Sequence, residues 1–217
     1  MSATMPAQLP KAILFDWDDT LVDTWRTTHA GINVALTRMD KVPMTDKEFL
    51  ALPPASLRDS FPGLFGKYWE EAARHFYDYI HENHIAHLSV HEGTHDLLEL
   101  IYSKNIYMGV VSNKDGNLLR REVSHIGWDP HFGKVVGSKD TAQDKPSSLP
   151  VKAALEDTGI LHGPDVWFVG DSIIDVRCAK ATGCIPIVVG TNEVSTSQDN
   201  IVHIGDCKSL AKLIANM

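Results

Sequence analysis

Asp16, Asp18 and Asp19 fall within four positions of this 217-residue chain, directly after the apolar run Ala12-Ile-Leu-Phe15. Carboxylates this close repel one another unless a cation or a proton compensates them. Their hard oxygens suit a divalent metal ion, and one of them could also act as a nucleophile. The same stretch could equally be a solvated acidic turn. Three further groups carry chemistry. Ser112-Asn113-Lys114 follows Tyr107-Met-Gly-Val-Val111, Lys145 precedes Pro146 in a loop, and Gly170-Asp171-Ser-Ile-Ile-Asp175 follows Val166-Trp-Phe-Val169. Asp171 and Asp175 are four apart and so share one side of a helical turn, where the helix dipole by itself would favour an acid. With Gly170 permitting close backbone approach, the pair also fits an oxygen-ligand Mg²⁺ site. Ser112 reads either as a helix N-cap or as part of an anion site.

These residues need strands to end beside one another. Short apolar runs at 11–15, 107–111, around Val135-Val136, 166–169 and 185–189 read as buried strands. Between them lie helical stretches: Asp96–Ile101, the stripe Leu118, Leu119, Glu122, Val123 and Ile126 closed by Gly127, Val151–Thr158 stopped by Gly159, and the segment up to Gly183. Val202-His-Ile204 reads as a minor strand before a helix over Ser209–Asn216. Alternating strands and helices imply right-handed crossovers and a doubly wound parallel α/β sheet. In that topology the residues just after each strand share one edge, which gathers Asp16, Asp18, Thr20, Ser112, Asn113, Lys114, Asp171 and Asp175.

Residues 24–92 have a different texture. Thr45-x-x-Glu48 is a capping-box pattern, Pro53-Pro54 breaks the chain, and Trp69, Ala72, Ala73, Phe76 and Ile80 recur at helical spacing. No strong strand candidate occurs there, so the span reads as a helical insert between core segments 11–23 and 93–217, with 1–10 as a flexible tail. His81, His84, His87 and His91 have the spacing of helix-borne metal ligands, or of a polar helix end running into a loop. Trp69, Phe76, Tyr77 and Tyr79 read as the core of the insert.

Composition narrows the function class. Hydrophobic residues make up 43% of the chain, ample for a core, and 28 acidic against 20 basic residues give a net charge of −8 with no basic block. Nucleic-acid binding therefore has little support. No apolar run approaches a membrane span, and Met1–Pro10 lacks the features of a secretory signal. Cys178, Cys184 and Cys207 lack metal-type spacing and read as reduced thiols of a cytoplasmic protein.

The order of the motifs is more specific than any one of them. Asp16-x-Asp18-x-Thr20, then Ser112-Asn113-Lys114, then Lys145-Pro146, then Gly170-Asp171-Ser-x-x-Asp175 resembles the haloacid dehalogenase superfamily, over about Lys11 to Val189. Within it the chain is similar to the phosphoglycolate phosphatase-like and β-phosphoglucomutase-like groups. The resemblance implies a Rossmann-like core with the insert as cap, and Mg²⁺-dependent hydrolysis of a small phosphomonoester, phosphoglycolate- or sugar-phosphate-like. It implies Asp16 as nucleophile, Asp18 as acid and base, and Thr20, Ser112, Asn113 and Lys145 around the phosphoryl group, with Lys145 also counted as catalytic. It implies Mg²⁺ on Asp16 and Asp171, on the backbone carbonyl of Asp18, and on Asp175 as ligand or support. In mutase-type relatives a substrate-binding arginine occupies the place of Arg58. Asp19 departs from the pattern, standing where many relatives have glycine. A sugar phosphomutase uses the same core residues, and a non-catalytic phosphoacceptor or binding protein is the rival from another class. The partner implied is a small phosphorylated metabolite; oligomeric state is open.

Overall fold

The computed structural model describes residues 8–190 and 201–217. The first seven residues of the expected tail lie outside these; of the rest, Leu9 packs on the core and Pro10 is buried. Strand β1 (Ala12–Phe15) is fully buried and sits mid-sheet. The chain then passes through β2 (Val22–Asp23), α1 (Trp25–Arg38), α2 (Asp46–Leu50), α3 (Leu57–Phe65), α4 (Trp69–Asn83) and β3 (Ser89–Val90). It returns through α5 (Thr94–Ser103), β4 (Tyr107–Asp115), α6 (Gly116–Ile126), β5 (Lys134–Ser138), α7 (Leu149–Leu155), β6 (Val166–Gly170), α8 (Ile173–Ala181), β7 (Ile185–Val189), β8 (Val202–Ile204) and α9 (Cys207–Ala215).

The main sheet has the order β5-β4-β1-β6-β7-β8, every pairing parallel. Successive β1 side chains point to opposite faces. Ile13 and Phe15 join the cluster of Leu97, Leu98, Ile101, Leu210 and Ile214 from α5 and α9. Ala12 and Leu14 join Val151, Ala154, Cys178 and Ala179 from α7 and α8. A strand covered by helices on both sides must be apolar throughout, which is why the run shows no alternation.

The insert is a helical cap. Ile32, Ala35, Leu36, Phe61, Phe65, Ala72, Phe76 and Ile80 form its own apolar core, and Leu118 of α6 completes it from below. The capping box forms, with Thr45 N donating to Glu48 Oε2 at 2.8 Å. Two details differ from expectation. The span holds a short strand, β3, paired antiparallel with β2 where the chain enters and leaves the cap. Strand β4 runs on to Asp115, so Asp115 and not Ser112 caps α6, its carboxylate accepting from Asn117 N at 3.1 Å.

Candidate active site

The site forms at the carboxyl ends of β1, β4 and β6, where the sheet order switches direction. Asp16 N donates to Val169 O at 2.8 Å, so the loop starts from the sheet itself. Trp17 O accepts from Leu21 N at 3.0 Å and Val22 N at 3.2 Å, which folds the loop into a tight turn. Asp19 stands at φ 59° within it. Aspartate tolerates this left-handed conformation better than most residues, so it fits the turn.

Lys145 is buried, its Nζ donating to Asp16 Oδ1 at 2.6 Å and to Asp175 Oδ1 at 2.8 Å. Asn113 sets its position: the side-chain amide donates to Lys145 O at 3.1 Å and its oxygen accepts from Lys145 N at 2.9 Å. Asp175 is oriented in turn, Oδ2 accepting from Ser172 N at 3.0 Å and Ser172 Oγ at 2.7 Å. A Cβ on Gly170 would lie 2.3 Å from Asp175 Cγ, so the close approach requires glycine. Asp171 precedes the first turn of α8, and only Asp175 lies within it. Carboxylate oxygens of Asp16, Asp171 and Asp175 lie within 4.8 Å of one another.

Burial pushes the Asp16 carboxyl up to about 7, Lys145 opposing and Asp175 adding to the shift. Burial and then the charges of Asp16 and Asp175 push Asp171 up to about 8. Burial alone would lower Lys145, but Asp16 and Asp175 outweigh it and hold the ammonium firmly protonated. One lysine against three converging carboxylates leaves negative charge that a hard divalent cation fits.

A second network lies beside the first. Lys114 Nζ donates to Asp18 Oδ1 at 2.6 Å and to Glu122 Oε2 at 2.8 Å. Asp18 Oδ1 also accepts from the Thr24 hydroxyl. Glu122 has no exposed surface and further accepts from Trp17 Nε1 at 2.7 Å, while its Oε1 meets His84 Nδ1 at 2.9 Å. Lys114 was gathered at this edge by the sheet topology without a role, and Glu122 was not among the expected site residues. The available signal was a charged residue on the otherwise apolar stripe of α6. Of the four spaced histidines only His84 reaches this network, and none joins a metal-type cluster among the described residues.

Asp16, Asp18, Ser112, Asn113, Lys145 and Asp171 border one cavity of about 1060 Å³ beneath the cap. Thr20 is not among its lining residues; its hydroxyl is buried without a partner. Arg58 is not among them either. Its guanidinium donates to the buried Asp144 at 2.6 Å, tying the cap to the loop that carries Lys145.

A family model for haloacid dehalogenase-like hydrolases matches residues 13–189. The chain belongs to that family. It is 28% identical over 200 residues to a phosphoglycolate phosphatase of Chromobacterium violaceum, covering 83% of this chain and 85% of that one. It is 25% identical over 171 residues to the pyrophosphatase PpaX of Bacillus pumilus, covering 79% of each. The crystal structure of a HAD-superfamily hydrolase from Ehrlichia chaffeensis superposes with a TM-score of 0.67 at 30% identity, over 97% of this chain and 98% of that one. A HAD-superfamily hydrolase of Geobacter sulfurreducens shares the fold, with a TM-score of 0.73 at 20% identity over 95% and 100%. Membership in this family makes the chain an enzyme.

Proposed function

We propose that this chain is a Mg²⁺-dependent phosphomonoester hydrolase working through an aspartyl-phosphate on Asp16. The observation that carries the reading is the pairing of Asp16 and Asp18 in one turn on one cavity, each carboxylate gripped by a different lysine. Lys145 holds Asp16 Oδ1, so attack on phosphorus falls to Oδ2. Lys145 and the Ser112 hydroxyl border the cavity where the phosphoryl oxygens would sit, while Asn113 serves by fixing the Lys145 backbone. Lys114 and Thr24 hold Asp18 Oδ1, which aims the carboxyl at the leaving oxygen. Asp18 gives its proton to that oxygen as the ester bond breaks. It then takes a proton from the water that attacks phosphorus, which frees phosphate and restores Asp16. Asp16, Asp171 and Asp175 would hold Mg²⁺ by carboxylate and Asp18 by its backbone carbonyl. When bound, the cation supplies the charge neutralisation that phosphoryl transfer requires.

Residues 24–92 act as the cap that closes water out. The substrate is a small phosphorylated compound, the class that the relatives' names suggest. Three buried free thiols suit a cytoplasmic setting. The test is phosphate release from p-nitrophenyl phosphate. Chelator abolishes it and Mg²⁺ restores it. Ca²⁺ does not, because it prefers more ligands at longer distance. Asp16→Asn keeps the fold and loses turnover. Appreciable turnover by folded Asp16→Asn protein would sink the mechanism.

A further inference from the structure

Resting on the phosphatase reading, we infer that the natural substrate carries an uncharged, largely apolar leaving group, aromatic or medium-chain alkyl, and that a compact second anion such as the carboxylate of phosphoglycolate is disfavoured. The cavity is about 1060 Å³. That is at the top of the range that encloses drug-sized ligands and far more than a two-carbon acid fills. Its upper wall is the cap, and the wall is greasy: Ile32, Phe49, Leu52, Leu57, Phe61 and Leu64 all face it.

The charges on that wall point the same way. Among the described residues the lysines lining the cavity are Lys114 and Lys145, both from the core. Lys114 is committed to Asp18 and Glu122, and Lys145 to Asp16 and Asp175. No lysine or arginine of the cap appears in the lining, and the one carboxylate it contributes is Asp59. His84 is the remaining candidate cation. Its Nδ1 faces Glu122, so its hydrogen bond is already committed, and burial pushes its pKa down against the charged form. Arg58, the cap cation best placed by sequence, is spent on Asp144. A second anion would therefore leave water for an apolar wall with no cation to meet it, which is unfavourable. An aryl or alkyl group would instead displace water from apolar surface, each added methylene gaining on the order of tenfold or more in kcat/KM while the pocket has room.

The test compares kcat/KM, by phosphate release with Mg²⁺, for 1-naphthyl phosphate, hexyl phosphate, ethyl phosphate and phosphoglycolate. The expected result is naphthyl and hexyl phosphate at least tenfold above both small esters, with phosphoglycolate lowest. Leu52→Arg, which places a cation on the wall, should raise phosphoglycolate and lower naphthyl phosphate; circular dichroism checks that the variant is folded. Phosphoglycolate preferred by the native protein would overturn the inference and leave the phosphatase reading standing. Equal rates on all four esters would overturn it likewise. No phosphate released from any ester would overturn both.

Discussion

Glu122 ties together the charges beside Asp18 from within the protein. Its two oxygens take hydrogen bonds from Trp17 and Lys114 and meet His84, all inside the protein. Without it Lys114 would keep only Asp18 as a counter-ion, and a largely enclosed ammonium half compensated is costly. Glu122→Leu is expected to destabilise the fold by roughly 3–5 kcal/mol, the usual cost of breaking a buried pair from one side. Glu122→Gln keeps the shape and the acceptor for Trp17, and should cost less, about 1.5–3 kcal/mol. Both should change the pH profile of kcat, because Lys114 then leans wholly on Asp18. Urea unfolding and a pH–rate profile measure the two effects. An unchanged profile in a folded Glu122→Gln protein would confine Glu122 to a structural role.

At the scale of elements, the question is what seats the cap on the core. Leu118 of α6 packs into the cap's apolar cluster, Lys139 lies 4.8 Å over the Tyr77 ring, and Arg58 of α3 bonds Asp144. The Arg58 pair matters most because Asp144 precedes Lys145 and also accepts from Ser138 Oγ at 2.9 Å and Lys139 N at 3.3 Å. Cap position and lysine position are thus mechanically linked. Arg58→Ala should cost about 1.5 kcal/mol, the low end for a charged hydrogen bond since the guanidinium is partly exposed. It should lower kcat/KM about tenfold, equally for phosphoglycolate and p-nitrophenyl phosphate, because the strut serves every substrate. A loss confined to phosphoglycolate would instead make Arg58 a direct reader of the second anion.

For the whole molecule, the carboxylate cluster couples folding to pH and, on the proposed function, to metal. Burial first, and neighbouring carboxylates second, place Asp171 at about 8; burial, opposed by Lys145, places Asp16 at about 7. Both lie above the roughly 3.9 of an unfolded aspartate. Between those values the native state binds more protons than the unfolded state, so the contribution of these groups to stability falls as pH rises from about 4 to about 8. A divalent cation held there would take the deprotonated carboxylates and reverse that loss. In chelator the melting temperature should therefore fall between pH 5.5 and pH 8, and added Mg²⁺ should raise it more at pH 8 than at pH 5.5. A Mg²⁺ effect independent of pH would contradict this reading of the cluster.

The sheet and the order of its site-bearing ends were legible along the chain. Fully buried strands and amphipathic helices are written in local periodicity, and a parallel sheet must bring its carboxyl ends to one edge. That logic gathered Asp16, Asp18, Ser112, Asn113, Lys114 and Asp171, which border one cavity, together with Thr20 and Asp175, which stay out of its lining; Lys145 was added by the family resemblance. Element ends were less legible, as at β4, because extra backbone pairing beyond an apolar run leaves no hydrophobic signature. Which charge meets which emerged from the three-dimensional packing alone. Lys114 and Glu122 find each other, Asp18 and His84 because loop, strand, helix and cap bring them together. Arg58 turns to Asp144 for the same reason. Pairing of that kind depends on distances between segments far apart in the chain, and no spacing along the chain encodes it.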